Sequence, residues 1–130
     1  MTSFLIDSHI WLWMLADDRR LRPRTRAIVA DTDNVLLLSI ASVWELAIKA
    51  GIGRLRGPLS TDREIRSGLA QSGVDLLGVE LGDAAAVRAL PPHHGDPFDR
   101  MIVVQAQRRG IPLITADARL GAYDVEVIAD

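Results

Sequence analysis

"DPFDRMIVVQAQRRGIPLIT", Asp96 to Thr115, sets two patterns end to end. From Pro97 onward, Ile102, Val103 and Ala106 recur at helical period, the kind of face that packs onto a core. "IPLIT" then reads as a short buried strand. A helix running straight into a strand is one step of the alternation that builds parallel sheets. Asp99 lies on the same helix face, three residues before Ile102 and four before Val103. A carboxylate there either sits at the helix end, where it is satisfied, or is held near the core for a purpose.

Outward from that stretch the alternation repeats. "TSFLID" is a short apolar run ending in an acid, and "SHIWLWMLA" is a helix capped by Ser8. Pro23 opens a second helix through Thr32. "NVLLLS" is a buried strand, "ASVWELAIKAG" a helix ending at Gly51, and "IGRLRGP" its exit loop. "TDREIRSGLAQSG" carries a capping box from Thr61 to Glu64 and a Gly73 stop. "VDLLGV" is a third strand, "GDAAAVRAL" a short helix, "PPHHG" a rigid loop and "DVEVI" a fifth strand. The pattern predicts one α/β domain over residues 1–130, a parallel sheet of four to five strands with helices on both faces.

Composition narrows the chemistry. At 130 residues, 48% hydrophobic and 25% charged, the chain has the make-up of an ordinary globular domain. It has no cysteine, which excludes disulfides, thiolate metal sites and cysteine nucleophiles. No apolar run approaches the roughly 18 residues of a membrane span. Asp7 directly after Phe4-Leu5-Ile6, with no basic stretch before it, argues against a signal peptide. The expectation is a cytoplasmic protein. Net charge is -2, so no global basic field announces nucleic acid. Yet Lys49 is the single lysine among 15 basic residues, and five arginines (Arg19, Arg20, Arg22, Arg24, Arg26) crowd into "DDRRLRPRTR". That cluster is either a solvated surface or a phosphate-binding patch.

In an open parallel sheet, chemistry collects at the carboxyl ends of the strands. Four acids fall there. Asp7 ends strand one, Asp117 lies two residues past Thr115, Glu45 is about one turn into the helix after strand two, and Asp99 is in the first turn of the helix leading to strand four. With strand order 3-2-1-4-5, strands one and four are neighbours and Asp7 faces Asp117. Each acid also has a plainer use: Asp96 as N-cap with Asp99 beside the helix dipole, Glu45 in an exposed i,i+4 pair with Lys49, and Asp7 and Asp117 as caps. Those uses do not explain why all four converge. Packed carboxylates repel and raise one another's pKa unless cations share the charge. Hard oxygen ligands suit Mg²⁺ or Mn²⁺, which activate water for in-line displacement at a phosphodiester. Ser8 and Thr115, beside the acids, offer hydroxyls to a metal-bound water or a phosphate, or else cap locally.

Taken together, "FLIDSHIWLWML", "LLLSIASVWELAIKAGIGRL" and "HHGDPFDRMIVVQAQRRGIPLITAD" resemble PIN-domain ribonucleases, most nearly the VapC-type toxins of bacterial toxin–antitoxin pairs. The resemblance spans nearly the whole chain. It implies a PIN-like domain, with Asp7, Glu45, Asp99 and Asp117 as the catalytic, metal-holding set and Asp96 in second rank. Many relatives read Asp-Thr-His where Asp7-Ser8-His9 stands, and serine keeps the hydroxyl. The resemblance further implies a Mg²⁺- or Mn²⁺-dependent endoribonuclease, an RNA substrate, a homodimer, and silencing by a cognate antitoxin. Setting those four aside from the 17 acids leaves 13 against 15 basic residues, so metal loading turns the rim attractive to phosphate.

Other readings are weaker. His93 and His94 sit in a Pro-rich loop with no third histidine or cysteine at ligand spacing, so they are read as loop structure, with a phosphate contact at most. Trp11, Trp13 and Trp44 are read as core or dimer packing rather than base stacking. A phospho-receiver domain wants an acid ending strand three and a lysine ending strand five, and neither is present. A haloacid-type phosphatase wants an acid where His9 stands. A PIN-like module that binds RNA or a partner without cutting remains the alternative.

Overall fold

In the computed structural model, which describes residues 2–53, 59 and 61–130, the five apolar runs pair as a single sheet. The strands are β1 (Ser3–Ile6), β2 (Val35–Ser39), β3 (Val74–Leu77), β4 (Leu113–Thr115) and β5 (Val127–Ala129). Every pairing is parallel and the order is β3-β2-β1-β4-β5, as the alternation and the rim argument anticipated. In register, Ile6 lies between Leu38 on one side and Ile114 on the other. β5 starts three residues later than the "DVEVI" reading, because only Val127 to Ala129 reach β4.

Six α-helices join the strands among the described residues: α1 (Ser8–Ala16), α2 (Pro23–Ala30), α3 (Ile40–Gly51), α4 (Asp62–Ser72), α5 (Leu81–Ala86) and α6 (Pro97–Arg109). Short 3-10 turns follow at Val87–Ala89 and Ala118–Ala122. Pro23 and Pro97 open their helices at the first position, where a missing N–H costs nothing. α2 stops at Ala30, two residues before the expected Thr32, when Asp31 turns to extended backbone. α4 starts as the Thr61 cap predicts, with Thr61 Oγ1 accepting from Glu64 N at 3.2 Å, and ends at Gly73, whose φ of +69° glycine adopts without strain. Of the "IGRLRGP" exit loop, residues 54–58 lie outside the described residues.

The sheet divides the core in two. Phe4 and Ile6 point to one face with Leu36, Leu38, Trp11, Leu46 and Leu69, while Leu5 points to the other with Ile102, Val103, Ala106, Leu113 and Leu120. Alternation along β1 sends successive side chains to opposite layers, and both are covered by helices, which is why its run is continuously apolar. Trp11 is fully buried, as expected, and Gly68 on α4 makes room for it: a Cβ there would stand 3.1 Å from the indole. Trp44 is not core, being 63% exposed on α3.

Buried Asp83 near the start of α5 locks α5 to the end of α6. Arg108 and Arg109 both donate to it, and it accepts from Glu80 N. Of the arginine cluster, Arg26 ties the turn after α1 through Asp17 and the carbonyls of Asp18 and Leu21, and Arg20 pairs with Asp18 above Trp13. Those two serve local structure.

Candidate active site at the carboxyl end of the sheet

β1 ends at Ile6, and Asp7 turns the chain into α1 as its N-cap. Its Oδ1 accepts from Ile10 N at 2.9 Å. The Ser8 cap read from the sequence is therefore corrected: Asp7 takes that role because its backbone is extended while Ser8 is already helical. Asp7 Oδ2 accepts from Thr115 Oγ1 at 2.5 Å and from Ala116 N at 3.0 Å, across the β1–β4 seam. Asp7 thus turns to the end of β4. Thr115 is occupied in holding it. Burial raises the Asp7 carboxyl above the ordinary range, and the bonds from Thr115, Ile10 and Ala116 oppose that rise.

Ser8, freed from capping, reaches the next helix. Its Oγ donates to Glu45 Oε1 at 2.8 Å, and Glu45 Oε2 pairs with Lys49 at 3.2 Å. The i,i+4 pair exists as the spacing suggested, but Glu45 is only 8% exposed, so the pair is not a solvated surface contact. α3 itself is capped by Ser39 at the end of β2, which places Glu45 one turn below the rim.

Asp96 caps α6 through Phe98 N at 2.8 Å and Asp99 N at 3.1 Å. Asp99 is then the third residue of α6 and half-buried. Among the described residues its carboxylate receives no hydrogen bond, and the one basic atom within 4.0 Å is His94 Nε2, at 3.6 Å. Burial first, then the charges of Asp96, Asp7 and Glu45, push its carboxyl up to about 7, with His94 opposing. A helix N-terminus normally favours a carboxylate. Here burial and like charge win, which answers the question Asp99 posed: it starts a helix, and it is held where ionisation is resisted.

Asp117 caps the turn after β4, its Oδ1 accepting from Arg119 N at 3.0 Å. Arg119 holds it well below the usual carboxylate range, helped by His94 Nε2, which lies 2.9 Å from Oδ2. His94 was read as loop structure; it does anchor the loop, and its ring reaches the acids as well. Ligand atoms of His94, Asp99 and Asp117 all lie within 4.8 Å of one another. Its neighbour His93 keeps the structural role, lying edge-on to Tyr123 at 5.0 Å.

Four segments therefore bring five groups to one rim. Asp99, Asp117 and His94 form the tight cluster, and Asp7 and Glu45 act on Asp99 through charge while anchored elsewhere. The donor set fits a hard divalent cation. It is oxygen-rich, the buried hydroxyls of Thr115 and Ser8 fix Asp7 and Glu45, and Asp99 has no hydrogen bond among the described residues.

A family model described as PIN domain matches residues 4–126. The chain is 32% identical over 124 residues to Ribonuclease VapC22 of Mycobacterium tuberculosis (strain ATCC 25618 / H37Rv), covering 95% of this chain and 93% of that protein. Among solved structures it is similar to VapBC2 from Rickettsia felis, bound to a DNA fragment from their promoter, with a TM-score of 0.72, 10% identity and 98% of each chain covered. It is similar also to VapBC-5 from Mycobacterium tuberculosis, a member of the VapBC family of toxin–antitoxin systems, with a TM-score of 0.63, 18% identity and 100% of each chain covered. Those two likenesses concern the fold.

Proposed function

The chain belongs to the PIN-domain family, and from that premise we propose that it is a Mg²⁺- or Mn²⁺-dependent endoribonuclease, the toxin of a toxin–antitoxin pair silenced by its cognate antitoxin. The observation that carries the reading is the placement of Asp99. Its carboxylate has no hydrogen bond among the described residues and stands where the charges of Asp96, Asp7 and Glu45 oppose its ionisation. Such a group serves no capping purpose that an asparagine would not serve better. Identity of 32% to a ribonuclease over 95% of the chain supports RNA as the substrate.

In this reading Asp7, Glu45, Asp99 and Asp117 hold the metal. A divalent ion bound there supplies a water of lowered pKa and positive charge for the leaving oxygen of a phosphodiester. The protein's own work is orientation. Thr115 and Ala116 fix Asp7, Ser8 and Lys49 fix Glu45, and Arg119 and His94 fix Asp117. Asp99 is left to respond to the bound cation. Fixed donors of this kind need little reorganisation as charge develops in the transition state.

A homodimer is part of the same proposal, supported by an exposed apolar stripe along α3 (Ile40, Trp44 and Ile48) that continues onto its C-cap, Ile52. So is a cytoplasmic location, with no helix among the described residues long and apolar enough to cross a membrane. The test is incubation of the purified protein with a mixed structured-RNA substrate in EDTA, Mg²⁺ or Mn²⁺, with Asp7→Asn as the control for contaminating nuclease. Metal-dependent cutting absent from the variant is the expected result. Equal cutting by Asp7→Asn means that the cutting does not come from this rim and leaves the nuclease reading without support, and metal binding without any cutting favours a module that binds RNA or a partner.

A further inference from the structure

We propose that His94 is a positioning residue that holds Asp117 through Nε2–H and stays outside the metal's coordination sphere. The proposal rests on reading the acids as the metal site. The proximity of His94, Asp99 and Asp117, all within 4.8 Å, invites a three-ligand set in which the imidazole binds the ion. The far side of the ring decides against it. His94 Nδ1 accepts a hydrogen bond from Asp96 N at 3.0 Å, so Nδ1 carries a lone pair and no proton. A neutral imidazole with a bare Nδ1 has its proton on Nε2. That proton points to Asp117 Oδ2 at 2.9 Å, with Asp99 Oδ2 next nearest at 3.6 Å.

To ligate through Nε2, the ring must move its proton to Nδ1. There it faces the N–H of Asp96, and two donors confront each other while Asp117 loses one of its own. Rotating the ring away breaks its bonds to both Asp96 and Asp117, and the loop that carries it is anchored as well. His94 N donates to Tyr123 Oη at 2.9 Å, and His94 O accepts from the Arg100 guanidinium at 3.3 Å. The same guanidinium donates to the carbonyls of Val87, Leu90 and Pro91. Asp96 links the two sides of the site: its N–H sets the His94 tautomer, and its carboxylate caps the helix that carries Asp99. The metal's protein ligands are then all oxygen, which keeps the site with hard cations and away from zinc.

Three measurements test this. In metal-free protein labelled with ¹⁵N-histidine, the His94 signals should report the Nε2–H tautomer, and the Nδ1–H tautomer overturns the proposal. Pulsed EPR of the Mn²⁺-loaded wild type should show no directly bonded ¹⁴N. A strong ¹⁴N coupling that disappears in His94→Gln makes His94 a ligand and overturns it equally. Gln keeps an N–H donor for Asp117 and an acceptor for Asp96, so His94→Gln should bind Mn²⁺ within about threefold of wild type. His94→Ala, by contrast, should lose about tenfold or more, the usual cost of removing an orienting partner. Equal loss in both variants counts against the proposal. If the wild type binds no Mn²⁺, the metal-site reading fails, while the tautomer measurement still decides the His94 hydrogen bonds.

Discussion

Asp99→Asn should make the metal-free protein more stable, and the gain should grow with pH. Burial and the neighbouring negative charges push the wild-type carboxyl up to about 7 in the folded chain, against an ordinary 3.8. The sign follows from proton binding. Between those two values the folded state keeps a proton that the unfolded state has released, so raising the pH costs stability, and the full cost is reached above 7. Two of the pH units between 5 and 8 lie inside that window. At about 1.4 kcal/mol per unit, the gap between Asp99→Asn and wild type widens by roughly 2–3 kcal/mol from pH 5 to pH 8. The Asn side chain carries no charge for Asp96, Asp7 and Glu45 to repel, and the Asp96 cap on α6 is untouched. For a domain of this size the change is roughly 6–10 °C in Tm. Thermal melts of both proteins in EDTA at pH 5, 6, 7 and 8 measure it directly. Parallel pH profiles, or a variant less stable than wild type at pH 8, refute the claim that Asp99 is held against like charge. Adding Mg²⁺ at pH 8 should raise the wild-type Tm and leave the variant nearly unmoved, because the cation relieves in one what the substitution has already removed in the other.

Glu45→Gln keeps an acceptor for Ser8 and gives up the half-buried pair with Lys49, about 1 kcal/mol with the lysine still reaching solvent, so Tm should fall by no more than about 4 °C while RNA cleavage falls at least about 100-fold. Unchanged cleavage would leave Glu45 with only its structural bonds to Ser8 and Lys49. Asp83→Asn should lower stability at pH 7 by about 2 kcal/mol, since Arg108 and Arg109 lose a buried acceptor but remain partly in solvent. The Asp83 carboxyl is held far below its ordinary range, first by Arg109, so this stabilisation is complete above the ordinary carboxylate range and fades as pH falls below about 4. Melts at pH 7 and pH 3 should show the variant and wild type converging in acid.

The sheet was legible because its strands are short, continuous and apolar, the pattern of strands covered on both faces. "NVLLLS" and "TSFLID" lose only one or two end residues in the structure. Local stop and start signals worked where one residue decides them, as at Thr61, Gly73 and Pro97. They failed at "IDSH", where two capping residues stand side by side. Only the tertiary bond from Ser8 to Glu45, 37 residues away, shows which one is spared for other work. The four acids were placed by topology, since each follows a strand or opens a helix at the carboxyl rim. His94 was missed because nothing local separates it from His93. Its partners Asp117 and Tyr123 lie 23 and 29 residues distant, and the one nearby sign was its position two residues before the Asp96 cap. Trp44, like Trp11, is an apolar residue on a helix that packs against the sheet. Only the packing of α3 shows one exposed beside Phe98 and the other buried over Gly68.

The most direct test is a crystal equilibrated with saturating Mn²⁺ at pH 8 and measured at a wavelength where manganese scatters anomalously. A peak is expected at the carboxyl end of the sheet, bounded by oxygens of Asp7, Glu45, Asp99 and Asp117. A rim with no peak under those conditions would contradict it.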